Sequence, residues 1–309
     1  MYKRIINLDM CEMETAFLWG PRQTGKSTLL KSRYPQSKYY NLLLADTFSR
    51  LVKSPSIIRE ECEAEGLDGS KQEFPIIIDE IQKIPALLDE IHWLIENRGL
   101  RFILCGSSAR KVKRGHANLL GGRAVRYELF PLVSREIPDF NLEYALNRGL
   151  LPRHYQSRYA RRLLRSYIGD YLKEEIAAES LTRNLPAFSR FLEVAAQSNG
   201  ELINYNNIAS ECAVSAQTVK EYYVIAQDTL IGRFLPAFRK RAKRRQIFAP
   251  KYYFFDVGVT AQLSLRGQVT QGSELFGKAF EQFIVNEIFA YSEYSEKYIP
   301  CTFWKSASG

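Results

Sequence analysis

The sequence is poor in the residues that build disulfide frameworks and zinc sites. It has five cysteines and three histidines among 309 residues, and the cysteines are scattered with no CxxC pair. An odd, dispersed set of this kind indicates free thiols in a reducing compartment. The histidines are equally dispersed, so no His/Cys zinc site is predicted.

Long apolar runs are also missing. No stretch approaches the roughly 20 residues needed to span a membrane. The N-terminus lacks the apolar core of a secretory signal. Hydrophobic residues make up 46% of the chain and charged residues 25%, which is ordinary for a globular protein. We therefore expect a cytoplasmic protein without membrane contact, and at this length more than one domain.

The positive charge is concentrated in one place. Of the formal net charge of +9, residues 1–150 carry +3 and residues 151–309 carry +6. Residues 239–251 alone hold seven basic and no acidic residues, and without them the second half would carry −1. A localised basic patch indicates an anionic partner more strongly than a diffuse excess does.

The first half alternates short apolar strands with helical stretches. Helical spacing of apolar residues over 26–32, 54–65 and 87–97 separates the strands. This alternation predicts an α/β fold, a parallel sheet with helices on both faces, because buried parallel strands are almost continuously apolar. The predicted strands are Ala16–Trp19, Tyr39–Leu44, Pro75–Ile78, Arg101–Cys105 and Val125–Leu129.

A phosphate-binding loop lies between the first strand and the first helix. The segment matches G-x-x-x-x-G-K-[ST] without deviation, in the strand–loop–helix context that the motif requires. Its backbone amides and the helix N-terminus would cradle phosphates, Lys26 would reach the β- and γ-phosphates, and Ser27 would ligand Mg²⁺. The residues predicted to bind ATP are Gly20, Pro21, Arg22, Gln23, Thr24, Gly25, Lys26, Ser27 and Thr28.

Two carboxylates end the apolar strand about fifty residues downstream. Asp79 would hold Mg²⁺ through its water shell, and Glu80 would orient or deprotonate the attacking water. An acidic pair after a strand often only caps the next helix. Together with the phosphate-binding loop, however, the pair predicts a magnesium-dependent ATPase.

Three further residues are candidates for catalysis. Ser107 and Ser108 end the strand 101–105 and would sense the γ-phosphate, with a plain turn as the alternative. Arg123 would stabilise transition-state charge on the nucleotide of a neighbouring subunit in a homo-oligomer, with an exposed turn arginine as the alternative. The sequence has no Asn-Lys-x-Asp guanine signature, so ATP is favoured over GTP.

An ordered set of motifs resembles one family across nearly the whole chain. They resemble the prokaryotic AAA+-like P-loop ATPases that carry a C-terminal domain of unknown function, and the first two motifs are the most specific. The segments are 20–27, 78–85 (Ile-Asp-Glu-Ile-Gln-Lys-Ile-Pro), 105–109 (Cys-Gly-Ser-Ser-Ala), 129–132 (Leu-Phe-Pro-Leu), 147–152, 167–172, 250–258 and 277–281.

The resemblance implies four parts. They are an AAA+-like ATPase domain over 1–143, a helical lid or linker over 144–200, a winged-helix-like domain over 201–266, and a partial endonuclease-like segment over 273–309. Glu281 matches the first acidic position of such a nuclease. The chain ends at Gly309 before further acidic positions, so we expect no working nuclease centre.

Residues 208–222 have the pattern of a helix-turn-helix. Ser215 would cap the second helix, and Gln217, Thr218 and Lys220 would reach base edges of DNA or RNA. A protein-docking module with a solvated basic loop is the alternative. A basic wing would follow, made of Arg239, Lys240, Arg241, Lys243, Arg244 and Arg245.

Three functional hypotheses result. The leading one is an ATP-binding protein in which Mg²⁺-dependent ATP hydrolysis is coupled to the winged-helix module. The second is a non-catalytic regulatory protein that ATP switches between conformations, against which the intact Asp79-Glu80 pair argues. The third is an ATP-gated nuclease, which the missing C-terminal carboxylates disfavour.

Overall fold

A computed structural model of the chain describes residues 2–108, 119–177, 182, 184–238 and 249–304. The basic run from Arg239 to Arg245 therefore lies outside the described residues, as do residues 305–309. The chain divides into two compact units, residues 4–129 and residues 1–3 with 130–309. The two units are taken in turn.

The first unit is an α/β layer structure around a five-stranded parallel sheet, as predicted. The strands lie in the order β2-β3-β4-β1-β5, and every neighbouring pair is parallel. Strands β1, β3 and β4 are buried at every position, which explains their continuous apolar sequences. The elements are β1 (Ala16–Trp19), α1 (Lys26–Arg33), β2 (Tyr39–Asn41), α2 (Ala45–Lys53), α3 (Ile57–Ala64), β3 (Ile76–Asp79), α4 (Leu87–Arg98), β4 (Phe102–Gly106) and β5 (Val125–Glu128).

The register of the sheet brings the polar ends of three strands to one edge. Trp19, the last residue of β1, pairs with Gly106 of β4, and Asp79, the last residue of β3, pairs with Cys105. The loop after β1 and the carboxylates after β3 thus meet at the same carboxyl edge, where open α/β sheets bind their ligands.

One predicted strand is shorter than its apolar sequence suggested. The run Tyr39–Leu44 leaves the sheet after Asn41, whose side-chain oxygen accepts a hydrogen bond of 3.0 Å from the backbone N–H of Leu43. Such a turn satisfies the backbone locally and ends the strand. Leu43 and Leu44 are exposed, and α2 begins directly afterwards at Ala45.

The second unit is mainly helical, with a small antiparallel β-ribbon. A π-helical segment, Tyr171–Ala177, continues the third helix of the unit. In the described ranges, no helix has both the length and the apolar character needed to cross a membrane. The elements are α5 (Leu142–Arg148), α6 (Pro152–Tyr155), α7 (Ala160–Asp170), α8 (Leu185–Gln197), α9 (Tyr205–Cys212), α10 (Ala216–Asp228), β6 (Gly232–Leu235), β7 (Lys251–Phe254), α11 (Val257–Leu263) and α12 (Glu274–Tyr294).

Aromatic side chains dominate the core of this unit. The rings of Phe191 and Tyr223 meet edge to face, with centroids 4.8 Å apart, and Tyr223 meets Tyr252 of β7 at the same distance. Edge-to-face pairs of this kind add about 0.5–1.5 kcal/mol each to the burial of the rings. The core therefore ties helices α8 and α10 to the ribbon.

A buried carboxylate joins two distant parts of the second unit. Oδ1 of Asp256 accepts hydrogen bonds of 2.9 Å from the N–H groups of Gly258 and Val259 and so caps α11. Its Oδ2 accepts a hydrogen bond of 2.6 Å from the N–H of Leu150. Burial raises the pKa of Asp256, and these backbone hydrogen bonds act in the opposite direction.

Candidate nucleotide-binding site

The loop between β1 and α1 has the backbone shape of an anion cradle. Gln23 and Gly25 adopt left-handed conformations, with φ of 63° and 94°, and Gly25 is the N-cap of α1. At Gly20, a Cβ atom would lie 2.5 Å from the backbone oxygen of Leu129. Glycine is therefore required at both positions of the motif. Gly25 adopts a positive φ, and Gly20 allows the backbone at Leu129 to approach closely.

Lys26 is held inside this loop by the loop's own backbone. Its Nζ donates hydrogen bonds of 2.7 Å to the carbonyl oxygen of Gly20 and 3.0 Å to that of Pro21, and the side chain is buried. The hydroxyl of Thr24 donates to the same Pro21 oxygen at 2.9 Å. Arg4 braces the loop from outside, with a hydrogen bond of 2.6 Å from Nη1 to the Thr24 oxygen. The ammonium is therefore fixed inside the loop by two of its backbone carbonyls.

The other predicted loop residues differ in exposure. Arg22 and Ser27 are half-buried, whereas Gln23 and Thr28 are exposed on the first turn and its approach. Their side chains therefore border the cradle, and Lys26 and Thr24 lie within it.

Asp79 is buried at the end of β3, and its two carboxylate oxygens differ in their contacts with the described residues. Oδ2 accepts a hydrogen bond of 2.5 Å from the hydroxyl of Tyr39, the first residue of β2. Oδ1 has no hydrogen-bond partner among the described residues. Burial and then the hydrogen bond to Asp79 raise the pKa of Tyr39, so the tyrosine stays protonated and donates; a hydrogen bond with Ser27 acts in the opposite direction on that pKa. Asp79, Tyr39 and Ser27 therefore lie side by side.

Glu80 is held by a glutamine that also contacts a candidate sensor. Glu80 has a left-handed backbone, with φ of 64°. Nε2 of Gln82 donates hydrogen bonds of 2.5 Å to Oε2 of Glu80 and 3.1 Å to Oγ of Ser107. Gln82 is buried, and its Oε1 would lie 2.3 Å from a Cβ placed on Gly106. Glycine at 106 thus makes room for this connection between β3 and β4.

Sequence reasoning missed Gln82 and Tyr39. A signal for Gln82 was present, because a glutamine two residues after an acidic pair can fold back on it. No comparable signal marks Tyr39, since its contact depends on the pairing of β2 with β3. Ser108, the second sensor candidate, is fully buried next to Ser107.

Arg123 lies at the opposite edge of the same sheet. It precedes the first residue of β5, whereas the phosphate-binding loop follows the last residue of the parallel strand β1. Its guanidinium forms an ion pair with Glu96 near the end of α4, and its side chain is 43% exposed. The structure therefore does not bring Arg123 together with the loop residues of its own chain.

The predicted nucleic-acid residues of the helix-turn-helix lie on α10. Oγ of Ser215 accepts a hydrogen bond of 3.0 Å from the N–H of Thr218, which confirms the predicted cap. Gln217 is exposed and donates a hydrogen bond of 3.5 Å to Glu221. Lys220 is exposed, with Nζ 5.5 Å from the ring centroid of Tyr205. The ribbon β6–β7 follows α10, and the basic run between its strands lies outside the described residues.

Glu281, the candidate nuclease position, is engaged by two neighbours. Its Oε1 accepts hydrogen bonds of 2.8 Å from Nζ of Lys251 and 2.5 Å from the hydroxyl of Tyr253. Burial would raise the pKa of Glu281, but these two hydrogen bonds and the positive charges of Lys251 and Lys278 together lower it. No group of three or more His, Cys, Asp and Glu side chains suited to a metal occurs in the described ranges. The predicted strand-like segment 298–304 makes a single parallel bridge there, Ala237 with Phe303.

Two consecutive segments of the chain match two family models. Residues 13–138 match the AAA domain, and residues 139–270 match the Domain of unknown function (DUF8612). The first part of the chain is thus an AAA-type domain with a phosphate-binding loop, and a domain of unknown function follows it. Nucleotide binding and hydrolysis are the general chemistry of AAA-type domains.

Two curated relatives and two solved structures are similar to this chain. Uncharacterized proteins of Mycobacterium bovis and Mycobacterium tuberculosis are each 24% identical to it over 284 residues, or 88% of this chain. The chain spans 62% of the length of these relatives. The ORC2 protein of Aeropyrum pernix in its ADP form is 12% identical, with coverage of 87% of this chain and 88% of that one and a TM-score of 0.35. A signal transduction ATPase with numerous domains from Pyrococcus horikoshii, with a tetratricopeptide repeat sensor, is 13% identical. The superposed region covers 96% of this chain and 52% of that protein's chain, with a TM-score of 0.28.

Proposed function

We propose that the chain hydrolyses ATP with Mg²⁺ at the carboxyl edge of β1, β3 and β4. The observation that carries this proposal is the hydrogen bond that holds the Glu80 carboxylate beside Ser107. It lies at the same sheet edge as the buried Lys26 ammonium and the buried Asp79 carboxylate. A base, a cation and a metal-binding carboxylate at one edge are the parts that phosphoryl transfer needs.

Lys26 and the loop amides would bind the phosphates. The ammonium is held by backbone carbonyls of Gly20 and Pro21, and within the described residues it forms no ion pair with a carboxylate that would compete with a phosphate. The N-terminus of α1 adds its partial positive charge to that of the loop amides. These groups would bind the β- and γ-phosphates and stabilise the charge that develops during transfer.

Ser27 and Asp79 fit the requirements of Mg²⁺. Both offer oxygen atoms, the ligands that this hard cation prefers, and Oδ1 of Asp79 is a buried acceptor without a hydrogen bond in the described chain. Bound Mg²⁺ would neutralise charge on the phosphates. Tyr39 fixes the second oxygen of Asp79 and so sets the direction in which the first one points.

Glu80 would orient and deprotonate the attacking water, and Gln82 would act as its positioning residue. The same amide nitrogen bonds Glu80 and Ser107, so the base and the γ-phosphate sensor share one donor. A shift of Ser107 on nucleotide binding would therefore alter the hydrogen bond that positions Glu80. Ser108, buried behind it, would support that position.

Arg123 would act on the nucleotide of a neighbouring copy of the chain. Its position at the amino edge of β5 supports a role in trans, because the loop of its own chain lies at the other edge. An Arg123→Ala chain mixed with a Lys26→Ala chain should regain part of the parent rate, since each would supply what the other lacks. Mixtures that stay inactive would contradict the role in trans.

The helices α9 and α10 with the ribbon β6–β7 would form a winged-helix-like module that contacts nucleic acid. Support comes from the Ser215 cap, which fixes the start of α10, and from the exposure of Gln217 and Lys220. The basic run 239–245, which comes between β6 and β7 in the sequence, would meet phosphates. Each phosphate contact makes the affinity steeply dependent on salt.

Phosphate release from ATP by the full chain tests the catalytic proposal. Lys26→Ala should abolish turnover, and Glu80→Gln should reduce kcat by about 10²–10⁴ while ATP still binds. Lys53→Ala and Glu60→Gln, at exposed positions of the same unit, are the matched charge controls and should hydrolyse at the parent rate. If Glu80→Gln turns over as fast as the parent, Glu80 is not the base.

The same assay with DNA or RNA tests the coupling. We expect the nucleic acid to stimulate ATP hydrolysis, and the stimulation to be lost at higher salt and in a variant whose basic residues from Arg239 to Arg245 are neutralised. That result would support coupling of the ATPase site to the winged-helix-like module. Tight ATP binding without phosphate release in the parent chain would favour the non-catalytic alternative instead.

A further inference from the structure

The second unit contains a cavity that none of the predicted sites uses. It has a volume of about 890 Å³, within the usual range of roughly 300–1,000 Å³ for small-molecule sites. Helix α5, the first turn of α7 and the loop before α7 form its walls. We call it the arginine cavity, after the residues that set its chemistry: Tyr144, Arg148, Arg158, Tyr159, Arg161 and Arg162.

The charge of this cavity is one-sided. Four arginines line it against a single glutamate, Glu143. In the part of the chain that the structure describes, none of the four arginines forms an ion pair with a carboxylate. Elsewhere in the chain arginines commonly do so, as Arg59 does with Glu90 at 2.9 Å. Unneutralised guanidinium groups around a concave surface attract anions, and phosphates in particular.

Two of these arginines lie at the end of a helix where a positive charge is electrostatically unfavourable. Arg161 and Arg162 lie in the first turn of α7, where the helix dipole disfavours cations. That turn has no acidic residue, and Tyr159 at the N-cap makes no side-chain cap. Folding alone would favour the opposite charges here, so the two arginines point to an anionic ligand.

Two tyrosines provide flat surfaces beside the arginines. The guanidinium of Arg148 lies 3.8 Å from the ring centroid of Tyr144, and that of Arg158 lies 4.8 Å from the ring centroid of Tyr159. The tyrosines are nevertheless 47% and 57% exposed. Stacked arginine and tyrosine planes bind unpaired bases in a way that tolerates any sequence.

We infer that the arginine cavity binds a segment of single-stranded nucleic acid. The arginines would meet the phosphates, and the tyrosines would stack on the bases. An acidic peptide would use the arginines but has no need of the rings. A duplex keeps its bases inside the stack and cannot place them in a concave site. This contact is separate from the helix-turn-helix of the proposed function, and it does not depend on ATP hydrolysis.

Fluorescence anisotropy with a labelled single-stranded oligonucleotide of about 20 thymidines tests this, since site sizes are on the order of 4–16 nucleotides. In the full chain, Arg161→Gln with Arg162→Gln should weaken binding at least about tenfold. The plot of log affinity against log salt should become shallower by about 1.4, or about 0.7 for each lost phosphate contact. The matched control is Arg165→Gln with Arg190→Gln, two exposed arginines of the same unit that do not line the cavity. It should bind within twofold of the parent.

The tyrosines separate a base-stacking site from a general anion site. Tyr144→Ala with Tyr159→Ala should weaken binding at least about thirtyfold, because each of the two stacked bases contributes at least about 1 kcal/mol. Tyr144→Phe with Tyr159→Phe keeps the rings and should bind like the parent. Unchanged thermal unfolding of each variant excludes misfolding as the cause.

Four results would overturn the inference. They are an Arg161/Arg162 variant that binds the single strand like its control, a loss of duplex binding in that variant as large as its loss of single-strand binding, polyglutamate competing as well as the oligonucleotide, and thymidine monophosphate binding where the strand does not. ATP hydrolysis measured on the same samples without oligonucleotide reports on the proposed function alone, so the two can fail separately.

Discussion

The side-chain amide nitrogen of Gln82 lies 2.5 Å from Oε2 of Glu80. The same nitrogen lies 3.1 Å from Oγ of Ser107, so one buried donor joins the candidate base to the candidate sensor. Positioning residues of this kind contribute to rate without touching the nucleotide.

Replacing Gln82 should therefore lower kcat and leave ATP binding intact. We expect Gln82→Ala to reduce kcat by about 10- to 100-fold, because Glu80 would lose the hydrogen bond that orients it. Gln82→Glu should be at least as harmful, since a second carboxylate would face Glu80. Single-turnover hydrolysis and binding of a fluorescent ATP analogue separate the two effects. Weaker analogue binding with an unchanged rate would contradict a positioning role.

Tyr39→Phe should raise the Mg²⁺ concentration needed for half-maximal hydrolysis. The substitution removes the hydroxyl that fixes Oδ2 of Asp79, and outer partners of metal ligands typically contribute about 10-fold to metal affinity. Binding of ATP in the absence of Mg²⁺ should not change. A Mg²⁺ titration of both proteins measures this, and identical curves would rule the role out.

Gly20→Ala should damage the loop itself. The added Cβ would lie 2.5 Å from the backbone oxygen of Leu129, and backbone cannot move aside cheaply. We expect a loss of about 1–3 kcal/mol in the free energy of unfolding, together with weaker ATP binding. Gly277→Ala is the control, because it lies within α12 with nothing within 4 Å of its added Cβ. That change should stabilise the chain by up to about 1 kcal/mol. Equal stability of the two variants would contradict the close contact at Gly20.

The free energy of unfolding should fall when the pH is lowered from 7 to 4. Burial lowers the pKa of His154 to about 4, so the folded chain binds a proton less readily than the unfolded chain does. The resulting contribution of His154 to the free energy of unfolding is fully present above its unfolded pKa of about 6.5. It is lost as the pH falls through the folded pKa of about 4, and it amounts to at most about 3 kcal/mol. Urea unfolding of the parent and of His154→Phe at pH 7 and pH 5 should show a smaller pH effect in the variant. Parallel pH dependences would assign the effect to other groups.

The sequence was most informative where a function depends on consecutive residues. The phosphate-binding loop, the strands on either side of it and the cap at Ser215 all follow from local chemistry: glycine conformation, apolar strands and a hydroxyl that accepts a backbone N–H. The parallel sheet followed from the alternation of strands and helices, and the structure has it.

The remainder depends on contacts between distant residues. Gln82 and Ser107 are 25 positions apart and meet only because β3 pairs with β4 in one register. The early end of β2 depends on one asparagine turn within an apolar run. The four arginines of the arginine cavity lie on either side of a turn, and periodicity gives no sign that α5 and α7 close around a common space.

The carboxylate of Asp256 has a consequence for how the second unit assembles. It connects Leu150 with the start of α11 across 106 positions of the chain. Such a contact forms only after the intervening chain has closed a long loop, which delays folding more than it limits final stability. If the second unit were divided at residue 200, the hydrogen bond from the N–H of Gly200 to the backbone oxygen of Tyr252 would also be lost. Both hydrogen bonds join a residue at or before position 200 to one after it, so neither part could form them alone. We therefore expect the helices before residue 200 to emerge from synthesis unfolded and to become ordered together with the ribbon.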